Sequence, residues 1–332
     1  KDVELPTIYV LVGEYGIALL ADGTIEVTET DADGTEKAPY TAQDLATWIG
    51  EHKSANLKKV SIKLLENDTS ITKELTIDTG LAKEIELDLD GHTLTLAGGA
   101  RLYFKSVNIT ITSSDSNKGT ITGSYNYSNK FKGDGLVTAD RGSMLTIKCV
   151  TIENAGTGST VAMWGGVTCT IDNASISGSS GDQVGTITID NGKACTITNT
   201  EVTGNVGSGY GTIMFADSCS DCTIGEGAVI ENKNSGGYCV GFGSYAISAS
   251  IKITIKEGAV LTANAGKGTI MNTSYGKVAV GIEDGTFKGR LLLPVNSQIA
   301  GGTFVPASGC AIEANGSDKT LQNLLKVGYT LK

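Results

Sequence analysis

Six segments between Leu145 and Phe287 repeat one another, and this repeat constrains the fold more than any other feature of the chain. Each copy opens with an apolar residue, in most copies a threonine, and a second apolar residue. The copies begin 24, 26, 27, 31 and 27 residues apart, at Leu145, Cys169, Cys195, Cys222, Ile253 and Val280. A period of this size, kept over six copies, predicts an array of stacked repeats.

The apolar residues of each copy follow the two-residue period of a β-strand, because the first and third residues are both apolar. A second alternating stretch lies eight and six residues before each start. We expect it to point inward as well, with Val137 and Ala139 before the first copy and Met214 and Ala216 before the fourth. Gly, Asn, Asp and Ser separate the strands and leave no room for a helix of ordinary length. The pattern therefore predicts an all-β fold, a parallel β-helix in which each copy forms one coil.

Composition and charge narrow the possible partners. The chain has 44 glycines and 4 prolines, which suits many tight turns in a molecule whose strands all need their backbone donors. Its net charge is −10, and arginine occurs only at Arg101, Arg141 and Arg290. A nucleic-acid partner is not expected, because the basic stripe that neutralises phosphates is missing. No membrane span is expected either, since no apolar run approaches the roughly 18 residues that a span requires.

The ends of the solenoid are expected to be covered. Residues 1–40 are predicted to form a small β segment or the tail of a preceding domain, and residues 41–332 the β-helix. Leu45, Trp48 and Ile49 would share one face of a helix, so we expect a capping helix over about 42–53 with Thr41 as its N-cap. The segment 320–327 is expected to close the other end. Such caps cover apolar side chains and unpaired strand edges.

Three stretches resemble segments of a known superfamily. Leu87–Leu96, which reads Leu-Asp-Leu-Asp-Gly-His-Thr-Leu-Thr-Leu, looks like the opening coil of many secreted bacterial right-handed β-helix proteins of the pectate-lyase-like superfamily, especially adhesin-like surface proteins. Ile299–Phe304 and Leu321–Tyr329 resemble coil and closing motifs of such surface proteins. The resemblance covers about residues 41–332 and implies a right-handed solenoid in an extracellular or cell-surface protein. It implies no single activity, because this scaffold supports lyases, hydrolases and non-catalytic adhesins.

Seven cysteines occur at Cys149, Cys169, Cys195, Cys219, Cys222, Cys239 and Cys310. Three of them open successive copies, so we expect a stack of reduced, inward-facing thiols that fill the core like apolar side chains. Stacked neighbours lie about 4.8 Å apart with parallel side-chain directions, whereas a disulfide requires β-carbons about 3.8 Å apart. Cys219-Ser-Asp-Cys222 has the spacing of a zinc or redox motif but lacks a second cysteine pair or paired histidines. We therefore expect no metal and no cofactor.

The outward positions before each copy supply the candidate ligand site. Alternation places the residues five and seven positions before each start outside the core. The candidates are Asp140, Trp164, Asp190, Phe215, Asp217 and Tyr275. Aromatic rings stack on sugars while carboxylates accept hydrogen bonds from hydroxyl groups, so a polysaccharide or cell-surface glycan is the expected partner. The plain alternative is a solvated face of ordinary aspartates and threonines.

Enzymatic readings have less support from the residues. Glycosidase carboxylates about 5 to 9.5 Å apart could sit on the same face. However, among the motifs of polygalacturonase-like hydrolases only Gly91-His92-Thr93 is approached, and His52 and His92 lie too far apart to indicate a nucleophile and its base. Arg141 beside Asp140 is the one pair that resembles a pectate-lyase arginine and acid, and a turn salt bridge explains it as well.

The sequence as a whole predicts a right-handed parallel β-helix of about nine to ten coils. The favoured function is a non-catalytic extracellular adhesion or structural module that binds glycans. The alternative is a polysaccharide lyase or glycoside hydrolase of unrecognised type.

Overall fold

The computed structural model describes residues 9–11, 17–19, 23–127, 134–179, 184–207, 210–243, 249–264, 268–271, 277–294, 296–305 and 312–314. The chain is 56% strand and 3% helix, and its strands stack as a β-solenoid of about eight turns. The predicted all-β class, the parallel β-helix and the short helix near the N-terminus are confirmed. The expected nine to ten coils were one or two too many. No helix in the described ranges combines the length and the apolarity needed to cross a membrane.

The single helix is α1 (Leu45–His52), and the strands follow in chain order. The first half comprises β1 (Tyr9–Leu11), β2 (Ile17–Leu19), β3 (Ile25–Thr30), β4 (Tyr40–Ala42), β5 (Leu57–Leu64), β6 (Leu75–Asp78), β7 (Ala82–Asp88), β8 (Thr93–Leu96), β9 (Leu102–Lys105), β10 (Asn108–Thr112), β11 (Gly119–Gly123), β12 (Gly135–Asp140), β13 (Met144–Lys148), β14 (Val150–Asn154), β15 (Ser159–Trp164), β16 (Thr168–Asp172) and β17 (Ser175–Gly178). The second half comprises β18 (Ile187–Asp190), β19 (Gly192–Thr198), β20 (Glu201–Gly204), β21 (Gly211–Phe215), β22 (Cys219–Ile224), β23 (Val229–Asn232), β24 (Tyr238–Phe242), β25 (Ile251–Ile255), β26 (Val260–Ala263), β27 (Gly268–Ile270), β28 (Val278–Ile282), β29 (Thr286–Lys288), β30 (Leu291–Leu293), β31 (Gln298–Ile299), β32 (Thr303–Val305) and β33 (Ile312–Ala314).

Three sheets form the walls of the solenoid. The first sheet has the order β31-β28-β25-β22-β19-β16-β13-β10-β7-β5-β3-β4, the second β32-β29-β26-β23-β20-β17-β14-β11-β8, and the third β27-β24-β21-β18-β15-β12-β9-β6. Neighbours in each list differ by three along most of each sheet, so each coil contributes one strand to each wall. Two strand pairs, β1 with β2 and β30 with β33, lie outside these walls.

The core consists of columns of identical repeat positions. Leu145 pairs with Cys169, Cys169 with Cys195, and Cys195 with Cys222, and all are at most 1% exposed. The third residue of each copy forms a parallel column, in which Ile197 is 0% exposed. Each large side chain buried in this way contributes about 1.5–3 kcal/mol through removal of apolar surface from water. The inward columns predicted for the first sheet are confirmed.

The third sheet departs from the predicted register at one coil. Ile187 and Ile189 pair with Ile213 and Phe215, so the inward residues of β21 are these two rather than Met214 and Ala216. The connection from the third sheet to the first is one residue longer here, because Phe215 precedes Cys222 by seven positions whereas Ile189 precedes Cys195 by six. A one-residue shift exchanges the two faces of a strand. The assignment of Phe215 to the outer face was therefore wrong, and its ring stacks on Phe242 in the next coil with centroids 6.0 Å apart.

The N-terminal end of the first sheet is closed by antiparallel strands and α1. β3 pairs with β5 over six residues, from Ile25 with Leu64 to Thr30 with Lys59. The helix begins three residues later than the N-cap we expected, because the carboxylate of Asp44 accepts the backbone N–H of Thr47 at 2.8 Å. Thr41 lies in β4 instead. The predicted boundary at 40/41 falls inside β4, and the predicted closing segment 320–327 lies outside the described residues.

Left-handed residues form the corner between the first and second sheets. Cys149, Asn173 and Asn199 adopt φ values of 57°, 50° and 47° in successive coils, and Gly227 and Gly258 follow with 67° and 79°. Asparagine and glycine tolerate this conformation better than other residues. The corner thus explains why the later copies carry glycine near this position.

Candidate functional site

The strand ends of the third sheet bring four polar or aromatic residues into one column. Asp140 pairs with Lys105 of the preceding coil, and Trp164 pairs with Asp190 of the next. Because Ala139 pairs with Met163, Asp140 and Trp164 are also neighbours. We call Lys105, Asp140, Trp164 and Asp190 the strand-end strip. Adjacent members lie about 4.8 Å apart along the solenoid axis.

Only part of the predicted outer face is accessible. Lys105, Trp164 and Asp190 are half-buried, but Asp140 is 0% exposed, as is Thr188 at the other outward position. The expectation that Asp140 lies on an open face was wrong. The start of each strand lies against this face, because the hydroxyl of Thr188 accepts the N–H of Gly185 at 3.0 Å and contacts the hydroxyl of Ser159 at 2.7 Å. The face therefore opens only at the ends of its strands.

The other three predicted residues do not join the strip. Phe215 belongs to the core for the reason given above. Asp217 lies two residues beyond the end of β21, where its carboxylate accepts the backbone N–H of Ser218 at 2.6 Å and its hydroxyl hydrogen at 3.1 Å. Tyr275 lies outside the described residues.

Asp140 is held at the turn that leads from the third sheet into the next coil. The hydroxyl of Tyr103 donates a short hydrogen bond to Asp140 Oδ2, and Nε of Arg141 lies 3.5 Å from the same oxygen. The backbone carbonyl of Asp140 accepts the hydroxyl of Ser143 at 2.6 Å. Asp140 Oδ1 has no partner, and it is the one buried side-chain polar atom of the described ranges in that condition. Burial and the bond to Asp140 raise the pKa of Tyr103, so this hydroxyl keeps its proton and remains a donor.

A second ion-pair cluster supports Tyr103 from the preceding coil. Arg101 donates through Nε and Nη2 to Glu74, at 2.8 and 2.7 Å, and through Nη1 to Asp134 at 2.6 Å. Its guanidinium lies over the rings of Tyr103 and Tyr125, at 4.8 and 5.7 Å from their centroids. Burial opposes the charge of Arg101, but the bonds to Asp134 and Glu74 outweigh it and raise its pKa. Every nitrogen of this guanidinium is therefore committed to a carboxylate of the chain.

Sequence reasoning missed Arg101, Tyr103 and Lys105. The signal was present, because Leu102 and Phe104 repeat the alternation of Val137 and Ala139 one coil earlier. The next coil begins one residue sooner after this stretch, so it does not fit the six-copy alignment. Extending the repeat by one coil with a variable connection would have placed Tyr103 and Lys105 beside Thr138 and Asp140.

A separate cleft of about 720 Å³ lies at the corner between the first and second sheets. Its lining includes Asp115 and Asp172. Each carboxylate already accepts two hydrogen bonds from the chain, Asp115 from Cys149 and Asn173, and Asp172 from Thr198 and Asn199. The cleft is remote in the fold from the strand-end strip and offers carboxylates that are already engaged.

The cysteines form part of the core. Cys169, Cys195 and Cys222 stack in register, and the six cysteines of the described ranges are free and buried. Hydrogen bonding to Cys195 and complete burial raise the pKa values of Cys169 and Cys222 well above that of a free thiol. Within the described ranges no three His, Cys, Asp or Glu side chains are grouped so that they could hold a metal ion.

The strand-end strip combines an indole, two carboxylates and an ammonium group on one accessible edge. Such a set can stack on a sugar ring and accept hydrogen bonds from its hydroxyls. Asp140 and Asp190 lie two coils apart, about 10 Å along the axis, which is at or beyond the separation of about 5 to 9.5 Å that glycoside hydrolysis uses. The geometry thus favours binding over hydrolysis.

Comparison with protein-family models, curated proteins and solved structures finds no match to this chain. The fold alone does not assign an activity, because one solenoid scaffold supports unrelated functions.

Proposed function

We propose that this chain is a non-catalytic, extracellular adhesin-like module whose β-helix binds glycans through the strand-end strip. The observation that carries the proposal is the position of Trp164, half-buried at the strand end and flanked by Asp140 and Asp190 in adjacent coils. The secreted or cell-surface location is part of the proposal and rests on the resemblance of Leu87–Leu96 to the opening coils of such proteins.

The physical argument is the combination of an apolar ring with acceptors. An indole that retains exposed surface gains by covering the apolar face of a pyranose, and neighbouring carboxylates then accept its hydroxyl hydrogens. The solenoid supplies rigidity, because the strip lies on strands held by the coils on both sides. Rigid aromatic groups lose little conformational entropy on binding, which favours affinity.

Tryptophan fluorescence tests the proposal directly, because the chain has two tryptophans, Trp48 and Trp164. In a Trp48→Phe variant the emission reports on the strip alone. We expect quenching or a spectral shift with a binding glycan, found first on a glycan array. The matched control, Trp164→Phe, retains only the 3% exposed Trp48 and should not respond.

Polysaccharide degradation assays of the native chain give the opposing outcome. Turnover of a bound glycan that is lost in Asp190→Asn would replace the adhesin proposal by the lyase or hydrolase. A native chain that binds nothing on the array, with unchanged emission from Trp164, would leave the strip without a ligand role.

A further inference from the structure

The unpartnered oxygen of Asp140 indicates which glycans the strip selects. Asp140 is 0% exposed, and one oxygen of its carboxylate is fully engaged by Tyr103 while Oδ1 accepts nothing. A buried acceptor without a donor is costly, and native proteins retain few of them. Each one that persists is a candidate for a partner that arrives from outside the chain.

We infer that Asp140 Oδ1 receives a hydroxyl group of a neutral glycan, and that the strip discriminates against glycans built of acidic sugars. This inference rests on the proposed glycan-binding function and adds the ligand class. A carboxylate oxygen can only accept a hydrogen bond, so the ligand group that reaches it must be a donor. A sugar hydroxyl meets that need, whereas the carboxylate of a uronic acid would face a like charge.

The arginines of the chain do not offer a site for an acidic sugar at the strip. Planar, two-pronged recognition of a carboxylate is a property of arginine. Arg101 is committed to Glu74 and Asp134, and Arg290 lies beside β27, where its carbonyl accepts the N–H of Thr269. Arg141 is the remaining arginine, and its charge is already opposed by the carboxylate of Asp140.

Arg141 also provides the approach to Asp140. Its side chain is 58% exposed, and its contact with Asp140 Oδ2 is 3.5 Å, longer than a good charged hydrogen bond. Arg141 has φ 50°, at the turn that follows β12, so its side chain lies at the edge of the sheet rather than in it. Displacement of this side chain lets a ligand hydroxyl reach the carboxylate without a change in the strands.

The experiment measures binding of the native chain to neutral and acidic polysaccharides. The probes are a β-glucan, a mannan and a galactan on one side, and polygalacturonate and alginate on the other. We expect binding to at least one neutral polymer and binding at least 10-fold weaker to both acidic ones. Asp140→Asn keeps the shape and an acceptor for Tyr103 but replaces the free oxygen or its equivalent by a donor. It should lower affinity for the neutral glycan by about 10- to 100-fold.

Two further variants keep the inference open to failure even if Asp140→Asn folds poorly. Arg141→Ala changes an exposed residue and should leave neutral-glycan binding unchanged or stronger. Asp172→Asn, a carboxylate at the corner of the first and second sheets, is the matched control and should bind like the native chain. Thermal unfolding of each variant separates loss of fold from loss of binding.

The outcomes separate this inference from the function on which it rests. Binding to acidic polymers alone, equal binding to both classes, or a 10-fold loss in Arg141→Ala would overturn the ligand class while leaving a glycan-binding module. Unchanged neutral-glycan binding in a folded Asp140→Asn would mean that Oδ1 is satisfied by an ordered water only, and would also overturn it. No binding to either class by the native chain would remove the proposed function itself.

Discussion

The thiol of Cys149 donates a hydrogen bond to Oδ1 of Asp115 at 2.6 Å, across 34 positions of sequence. Asp115 lies on the loop that follows β10, and the same oxygen accepts Nδ2 of Asn173 from the next coil at 3.1 Å. Cys149 occupies the corner position that Asn173 and Asn199 occupy in the following coils, with the same left-handed backbone. It is therefore a cysteine in a place suited to asparagine.

We predict that Cys149→Asn stabilises the chain. Asparagine adopts the left-handed conformation at lower cost, and its amide can donate to Asp115 as Asn173 does, so the free energy of unfolding should rise by up to about 1 kcal/mol. Chemical denaturation of the two proteins measures the difference. Cys149→Ala, which can make neither contribution, should be destabilised, and a gain in that variant would refute the explanation.

The second prediction concerns the core columns. Ile197→Ala should lower the free energy of unfolding by about 2–5 kcal/mol, because it removes buried methyl groups and leaves a cavity. Thr196→Ala, on the outer face of the same strand, should change it by no more than about 0.5 kcal/mol. Equal losses at the two positions in denaturant titrations would contradict the assignment of inward and outward columns.

The third prediction concerns the stacked thiols. Cys169, Cys195 and Cys222 are buried and at most 1% exposed, so we expect them to resist thiol reagents in the native state and to react on unfolding. Burial raises the pKa of Cys219 to about 12, which protects it further at neutral pH. Mass spectrometry after brief alkylation locates the modified residues. Rapid modification of Cys195 in the folded chain would be incompatible with this core.

The fourth prediction concerns pH and the N-terminal cap. Burial opposes the charge of Glu29, but its bonds from Lys37 at 2.8 Å and Tyr40 at 2.5 Å outweigh it and lower the pKa of this carboxyl. A carboxyl with a lowered pKa in the folded state adds stability above its unfolded value of about 4.3, and this stability is lost as the pH falls through the native value. We expect Glu29→Gln to be less stable than the native chain at pH 7 and to differ less from it near pH 2.5. Thermal unfolding across this range measures the effect, and a constant difference would show that Glu29 acts through packing alone.

Much of the fold could be predicted because the sequence repeats. The two-residue alternation within each copy identifies inward residues such as Ile197 without knowledge of contacts, since side chains alternate along any strand. The stack of Cys169, Cys195 and Cys222 follows from the same argument once the copies are aligned. The capping helix was predicted from the spacing of Leu45, Trp48 and Ile49, although its first turn depends on Asp44 rather than on Thr41.

The candidate site was predicted less well, because its residues depend on connections whose lengths vary. One additional residue before Cys222 turns Phe215 into the core, and a shorter connection in an earlier coil conceals Tyr103 and Lys105 from the repeat. The glycan-binding role of Asp140, Trp164 and Asp190 stays a prediction.

The sequence by itself determined the architecture of this protein, since a repeated alternation of apolar residues specifies stacked coils around one core. Only the tertiary structure decided which outward residues reach solvent. Asp140 and Thr188 alternate correctly and are nevertheless buried, because contacts from elsewhere in the coil cover their face. Alternation distinguishes the two sides of a strand, but the covering of the outer side depends on contacts between residues far apart in sequence, which no local pattern records.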